Sequence, residues 1–244
     1  MVPSHRRGAA TSSRRHGRDG GLAPVGRRMA PLTLDTVADL PKQSRQCVFW
    51  ELDAVAAQRA AEAGYPDFEK EAWISSVLLQ WGPCGRLVYV DDQPAGFVVY
   101  APPVYVPRST GFPTSPVSGD AVLLTTGWIE PPFRGEGLAR MLLQGAAKDL
   151  TQRGVKAVEA FGGGPAAVGG DGRDDCAHDS DEACVLPAHL LESVGFTVVR
   201  PHHRYPRLRL ELKTALSWRE DVEAALERLL AGVRVQTLAG VAHP

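Results

Sequence analysis

The stretch that most constrains this chain runs from Ala121 to Leu150. Ala121-Val122-Leu123-Leu124-Thr125-Thr126-Gly127-Trp128-Ile129 is apolar and branched, and it reads as a long central strand. Glu130-Pro131-Pro132-Phe133 follows, then Arg134-Gly135-Glu136-Gly137, and a helix begins at once. Leu138, Met141, Leu142, Ala146 and Leu150 recur at helical spacing until Gly154 ends that helix. A strand turned by glycines into a helix aims unpaired backbone N–H groups and the positive end of a helix dipole at one spot. Such a spot binds a phosphate, and Arg134 adds a permanent cation suited to phosphate oxygens. A Walker A loop would need a Lys-Ser/Thr pair that is missing. A dinucleotide fingerprint would need a small residue where Arg140 stands, and it opens a βαβ unit and does not follow a hairpin. A plain glycine turn is the remaining reading of an isolated Gly-x-Gly.

The flanking segments supply the context. Cys47 to Leu52 reads as a short strand, Asp53 to Ala63 as a helix closed by Gly64 and Pro66, and Phe68 to Trp81 as a second helix. In that second helix Phe68, Ala72, Ile74, Ser75, Leu78 and Leu79 form a broad apolar side. Arg86–Val90 and Ala95–Tyr100 flank Asp91-Asp92-Gln93-Pro94, a hairpin signal. Pro102 to Pro116 is a Pro-rich loop, and Val155 to Phe161 is a strand. Pro187 to Val194 is a short helix, and Phe196–Val199 and Arg207–Leu212 are strands separated by the basic turn His202-His203-Arg204-Tyr205-Pro206. Ser217-Trp218-Arg219-Glu220 has capping-box spacing ahead of a terminal helix.

Arg134-x-x-Gly137-x-Ala139, between an apolar strand and an amphipathic helix, resembles the pyrophosphate loop of the GNAT acetyltransferase family, Arg/Gln-x-x-Gly-x-Gly/Ala. The hairpin Arg86–Ala101 resembles that family's second and third strands. Leu190-Leu191-Glu192-Ser193-Val194-Gly195-Phe196 resembles its closing helix-to-strand motif. These elements stand in family order across residues 47–212. The resemblance implies an α/β (α+β) fold: a mixed, twisted central sheet flanked by helices and splayed at its middle, with acyl-CoA in the splay. It also implies that amides of Gly135, Glu136, Gly137, Leu138 and Ala139, with Arg134, hold the pyrophosphate. The backbone around Ile129 would pair with the pantetheine arm, and an N–H there would polarise the thioester carbonyl. The activity implied is transfer of an acetyl or short acyl group from acetyl-CoA to an amine, small molecule or protein, by direct attack on the thioester. The chain departs from the family at three places. Leu191 stands where many members carry a Tyr, Gly162-Gly163-Gly164 replaces an Asn after the fifth strand, and the loop at 162–185 is long. A catalytically silent acyl-CoA-binding protein on the same fold is the alternative.

An ammonium acceptor must lose a proton before it attacks, so a base is needed. Glu130, at the end of the central strand beside the expected thioester, is the candidate; Glu51 is the other acid considered, and a solvated strand-end Glu is the competing role for Glu130. Cys176, His178 and Cys184 match no standard zinc spacing, so no metal site is assigned. Cys184 before a helix reads as a small apolar filler, with a nucleophile as the sharper alternative.

Composition sets the remaining bounds. With 44% hydrophobic residues the chain can bury a core without staples. A net charge of −1 offers no global pull toward nucleic acid or membrane, and no apolar run reaches the roughly 18 residues a spanning helix needs. Residues 1–28 hold seven arginines and one acid and read as a disordered basic tail. No apolar h-region follows it, so the expected location is the cytoplasm, with an organelle transit peptide or nucleic-acid contact through the tail as minor readings. The expected organisation is the tail at 1–28, the acyltransferase domain at 29–213 with an acidic loop at 162–185, and a C-terminal helix and tail at 214–244.

Overall fold

The computed structural model describes residues 26–163 and 184–213. Residues 1–25, the centre of the acidic loop with Cys176 and His178, and the C-terminal helix expected from 214 lie outside the described residues. Seven strands form one mixed sheet in the order β1-β2-β3-β4-β5-β7-β6, with helices on both faces. They are β1 Arg27–Pro31, β2 Gly85–Val90, β3 Gln93–Ala101, β4 Ala121–Ile129, β5 Ala157–Phe161, β6 Thr197–Arg200 and β7 Arg207–Glu211. Every neighbouring pair is antiparallel except β4 and β5, which are parallel and joined through the helix after the glycine loop. The helices are α1 Lys42–Gln46, α2 Ala54–Ala63, α3 Pro66–Gln80, α4 Leu138–Gln152 and α5 Ala188–Ser193.

Alternation along the strands divides the interior in two. Val88, Val98, Val122, Leu124 and Val158 pack with Leu138, Leu142 and Leu150 of α4 and Leu191 of α5. Leu87, Phe97, Val99, Leu123 and Phe161 face the other way, onto Trp50, Trp73, Ile74 and Val77. The turn between β2 and β3 is Asp91-Asp92, both at positive φ, the conformation that matches strand twist. Asp53 caps α2 by accepting from Val55 and Ala56 N–H, and Gly64 closes it in a left-handed conformation.

Three expectations need correction. Cys47 to Leu52 is a turn, Leu52 N–H bonding Val48 C=O at 3.2 Å, and not a strand. Its aromatic residues serve burial: Trp50 inserts into the core and donates its indole N–H to Cys184 C=O. The first strand lies earlier, and it starts inside the segment assigned to the tail. Arg27 and Arg28 pair in register with Val90 and Tyr89, and Arg28 also binds Asp92 at 3.0 Å. The buried stripe of α3 is Lys70, Trp73, Ile74 and Val77, while Phe68 and Leu79 are exposed. A lysine in the stripe hid it, and Lys70 is tolerated there because its ammonium binds the Glu51 carboxylate, both side chains at or below 5% exposure.

A buried charge that loses its partner costs more than the pair contributed. We expect Lys70→Met to destabilise the protein by about 3–5 kcal/mol, and Glu51→Leu added to it to recover most of that loss. Urea denaturation of both variants checks the pair.

Candidate functional site

The site is organised by what β4 does not pair with. Toward β3 its register runs from Leu123 to Ile129, but toward β5 it pairs only at Ala121, Val122 and Leu123. Beyond Leu123 the two parallel strands diverge. A bulge at Thr125 contributes: Val99 faces Thr126 and Tyr100 faces Leu124, leaving Thr125 as the extra residue, and its hydroxyl bonds Val99 C=O at 3.1 Å. The bulge also shifts the alternation. Leu124 faces the α4 core, yet four residues on Trp128 faces the other core and Ile129 returns to α4. Glu130 N–H is spent on Ala95 C=O at 2.9 Å. Alternation therefore turns the N–H groups of Gly127 and Ile129 to the opposite edge, where β5 has moved away. The mixed sheet is thus splayed at its middle.

At the mouth of that opening lies the glycine loop. Gly135 and Gly137 sit at φ +81° and +78°, in the left-handed region, and a Cβ built on either would meet nothing within 4 Å. Open space beside a left-handed backbone is what a ligand pressed against the main chain requires. The first intrahelical bond of α4 runs from Met141 N–H to Gly137 C=O at 3.1 Å, so the N–H groups of Leu138 and Ala139 precede it at the helix mouth. Arg134 turns back: its Nε donates to Ile129 C=O at 3.2 Å and its guanidinium lies 4.9 Å from the Trp128 ring centre. Arg27 of β1 clamps the loop from outside, bonding Glu136 C=O at 3.3 Å and the Glu136 carboxylate at 3.0 Å. The sequence put Arg27 in the tail, and only the fold brings it to the loop. These donors and this space fit a pyrophosphate, and the open β4 edge fits an extended arm running from it.

Glu130 is half-buried where β4 ends, and among the described residues no hydrogen bond or ion pair reaches its carboxylate. Leu191 is a core residue, 3% exposed, and offers no proton donor to the opening. Leu186 borders the splay, its side chain 3.9 Å from where a Gly127 Cβ would be, and Gly163 N–H holds its carbonyl at 2.7 Å. On the other face stand the stacked rings of Trp50, Phe112 and Phe161, with Phe112 and Phe161 centroids 4.4 Å apart. Trp50 and Trp73 are buried on that face, while Phe68 points to solvent. Phe112 and Phe161 come from the Pro-rich segment and from β5, so nothing local in the sequence joins them to Trp50. The basic turn is local: His202 Nδ1 accepts from Arg204 and Tyr205 N–H at 3.2 and 3.1 Å. No cluster of three or more metal-ligating side chains occurs among the described residues, and none of their helices is long and apolar enough to cross a membrane.

Residues 49–167 match the model of the acetyltransferase (GNAT) family. Among solved structures the chain is similar to the PaiA N-acetyltransferase from Thermoplasma acidophilum in complex with coenzyme A, at 11% identity and a TM-score of 0.47, covering 76% of this chain and 99% of that one. It is also similar to the loading GNATL domain of CurA from Lyngbya majuscula, at 13% identity and a TM-score of 0.46, covering 78% and 99%. A third is the ribosomal-protein-S18-alanine N-acetyltransferase from Escherichia coli, at 14% identity and a TM-score of 0.36, covering 75% and 91%. No curated protein matches the sequence.

The end of β4 is seated by close approach of β3. A Cβ at Gly96 would lie 2.7 Å from Trp128 C=O and 2.6 Å from Ile129 Cδ1. A backbone carbonyl cannot step aside as a side chain can, so Gly96→Ala should cost about 1–3 kcal/mol. Thermal unfolding measures the loss, and amide exchange at Glu130, whose N–H is bonded to Ala95 C=O, should quicken.

Proposed function

We propose that this chain, which carries a GNAT acetyltransferase domain over residues 49–167, transfers an acetyl or short acyl group from coenzyme A to an amine. The observation that carries this reading is the meeting of an unpaired β4 edge with a left-handed glycine loop at a helix mouth. In it, the N–H groups of Gly135, Glu136, Gly137, Leu138 and Ala139 hold the pyrophosphate, supported by the charge of Arg134. The free edge at Gly127 and Ile129 accepts the pantetheine arm as an added strand. An N–H of that edge donates to the thioester oxygen as negative charge develops there. Acetyl-CoA, the co-substrate, supplies an activated carbonyl.

Glu130 takes the proton of the incoming ammonium, directly or through one water. Its side chain carries no competing ion pair among the described residues, which leaves it available. No acid stands at position 191. An ordinary thiol titrates near 8.5, so the leaving sulfur departs as a thiolate and is protonated by solvent. Of the stacked rings on the other face, Trp50 and Phe161 are buried and only Phe112 is half-buried, so the acceptor is placed by the free β4 edge and Glu130 and not by an aromatic pocket.

Burial of Leu191 also favours a second reading, binding of acyl-CoA without turnover. Release of free CoA on addition of an amine panel, measured beside CoA affinity, separates the two. Gly137→Val places a branched side chain at φ +78° in the space read as the pyrophosphate site. We expect it to abolish CoA binding in calorimetry while the protein keeps its circular dichroism; wild-type affinity in the folded variant would remove the central claim. Glu130→Gln should keep CoA affinity and lower turnover by roughly 10²-fold near neutral pH. That defect should shrink as pH rises and more acceptor arrives as free amine, which a pH–rate profile reads directly.

A further inference from the structure

Cys47 and Cys184 stand 137 positions apart in the chain, yet their Sγ atoms lie 3.1 Å from each other. Both backbones are anchored. Cys47 closes α1 with its N–H on Gln43 C=O at 2.9 Å, and Cys184 C=O accepts the Trp50 indole N–H at 2.8 Å. Both side chains are half-buried, so a small solute reaches them while a large one does not. The groups around them are charged: the Glu51–Lys70 pair, one member from the same turn and one from α3. Chiefly through the hydrogen bond with Cys184, and helped by the Lys70 ammonium against desolvation and Glu51, the Cys47 thiol is brought down to about 7. Cys84 is the internal contrast. Fully buried in the same core, it is pushed up to about 12 by desolvation.

We propose that Cys47 and Cys184 are a redox-active dithiol, which hydrogen peroxide closes into a disulfide that pins the wall of the cleft. Cys47 thiolate attacks one peroxide oxygen, the O–O bond breaks, and hydroxide leaves, giving Cys47 sulfenic acid. Cys184 sulfur then attacks the Cys47 sulfur and expels hydroxide, which takes the Cys184 proton and leaves as water. In sum two thiols lose two protons and two electrons, and peroxide takes them up to become two waters. A sensing pair of this kind suits a reducing compartment, where disulfides are transient.

The place of the bond gives it a consequence. Cys184 leads through Val185, buried among the Trp50 rings, to Leu186 beside Gly127 of β4, and then into α5. Oxidation makes covalent the tie between the turn before α2 and the segment that borders the splay. It also closes a long loop of the unfolded chain, which raises stability.

Treat the full-length reduced protein with millimolar hydrogen peroxide, block free thiols with N-ethylmaleimide, and map peptides by mass spectrometry. We expect a Cys47–Cys184 linked peptide, a melting temperature higher by several degrees, and return of both on adding dithiothreitol. The crosslink should persist in Cys176→Ser and vanish in Cys47→Ser and Cys184→Ser. In Cys184→Ser, Cys47 should instead be trapped by dimedone as the sulfenic acid. Thiol mapping reads all of this without any acyl transfer. Cys47 and Cys184 still free to alkylate after peroxide, or a crosslink that uses Cys176 in place of either, would overturn the proposal.

Discussion

A strand inside a sheet has two edges to satisfy, and β4 satisfies only one of them along most of its length. Toward β3 its ladder is nearly continuous, while toward β5 it ends at Leu123. Unpaired backbone in an interior position is costly, so the divergence persists only because something else holds it. The bulge at Thr125 twists β4 away, the hydroxyl of that residue ties the bulge to Val99, and Arg134 caps Ile129 C=O from the loop. On the other side β5 is held by β7 over its full length, so it cannot follow β4. The cleft is therefore a property of hydrogen-bond accounting, and the glycine loop gains its meaning from opening onto it.

What was legible in the sequence was local. The strand, glycine turn and helix around Arg134 to Ala139 are contiguous, and so are the hairpin at Asp91-Asp92 and the Asp53 and Gly64 ends of α2. What was not legible depended on partners far along the chain. The first two residues of β1 looked like tail because they are arginines, and Asp92, Glu136 and the Tyr89 ring that receive them come from three other segments. Cys47 to Leu52 has strand composition, but its aromatic residues are required to fill a core and not to form a ladder. The α3 stripe was misread because one of its members is a lysine whose counter-ion lies 19 positions away. Glu130 could be placed at a strand end, but the bulge that decides which way the strand faces has no residue signature.

The two faces of the sheet are chemically unequal, and the cleft lies between them. The α4 side is a mainly aliphatic core, with Tyr100 and Phe196 as its buried aromatic members, closed by Leu138, Leu142 and Leu191. The opposite side mixes stacked rings with buried charge: Glu51 with Lys70, and Glu159, fully buried, with Arg207 and Arg209 at 2.8 and 3.1 Å. The aliphatic face is suited to hold one geometry around the helix that presents the loop.

Buried ion pairs are poor sources of net stability, so their persistence calls for a positional explanation. Glu159 gives one. Besides the two arginines it accepts from Ser118 N–H at 3.1 Å, and Arg207 also donates to Pro116 C=O. Arg209 reaches on to Asp120 at 3.0 Å, and its guanidinium holds the Asp120 carboxyl below the usual carboxylate range. The Pro-rich segment makes no ladder of its own, yet these contacts fasten its end to β5 and β7. Thr114, in the same segment, bonds Tyr205 C=O at 2.9 Å. Phe112 is thereby carried onto Phe161 and Trp50, where an apolar substitute for the charges would supply packing but no such directed attachment. The charges fix a loop in place, and the loop completes the aromatic core.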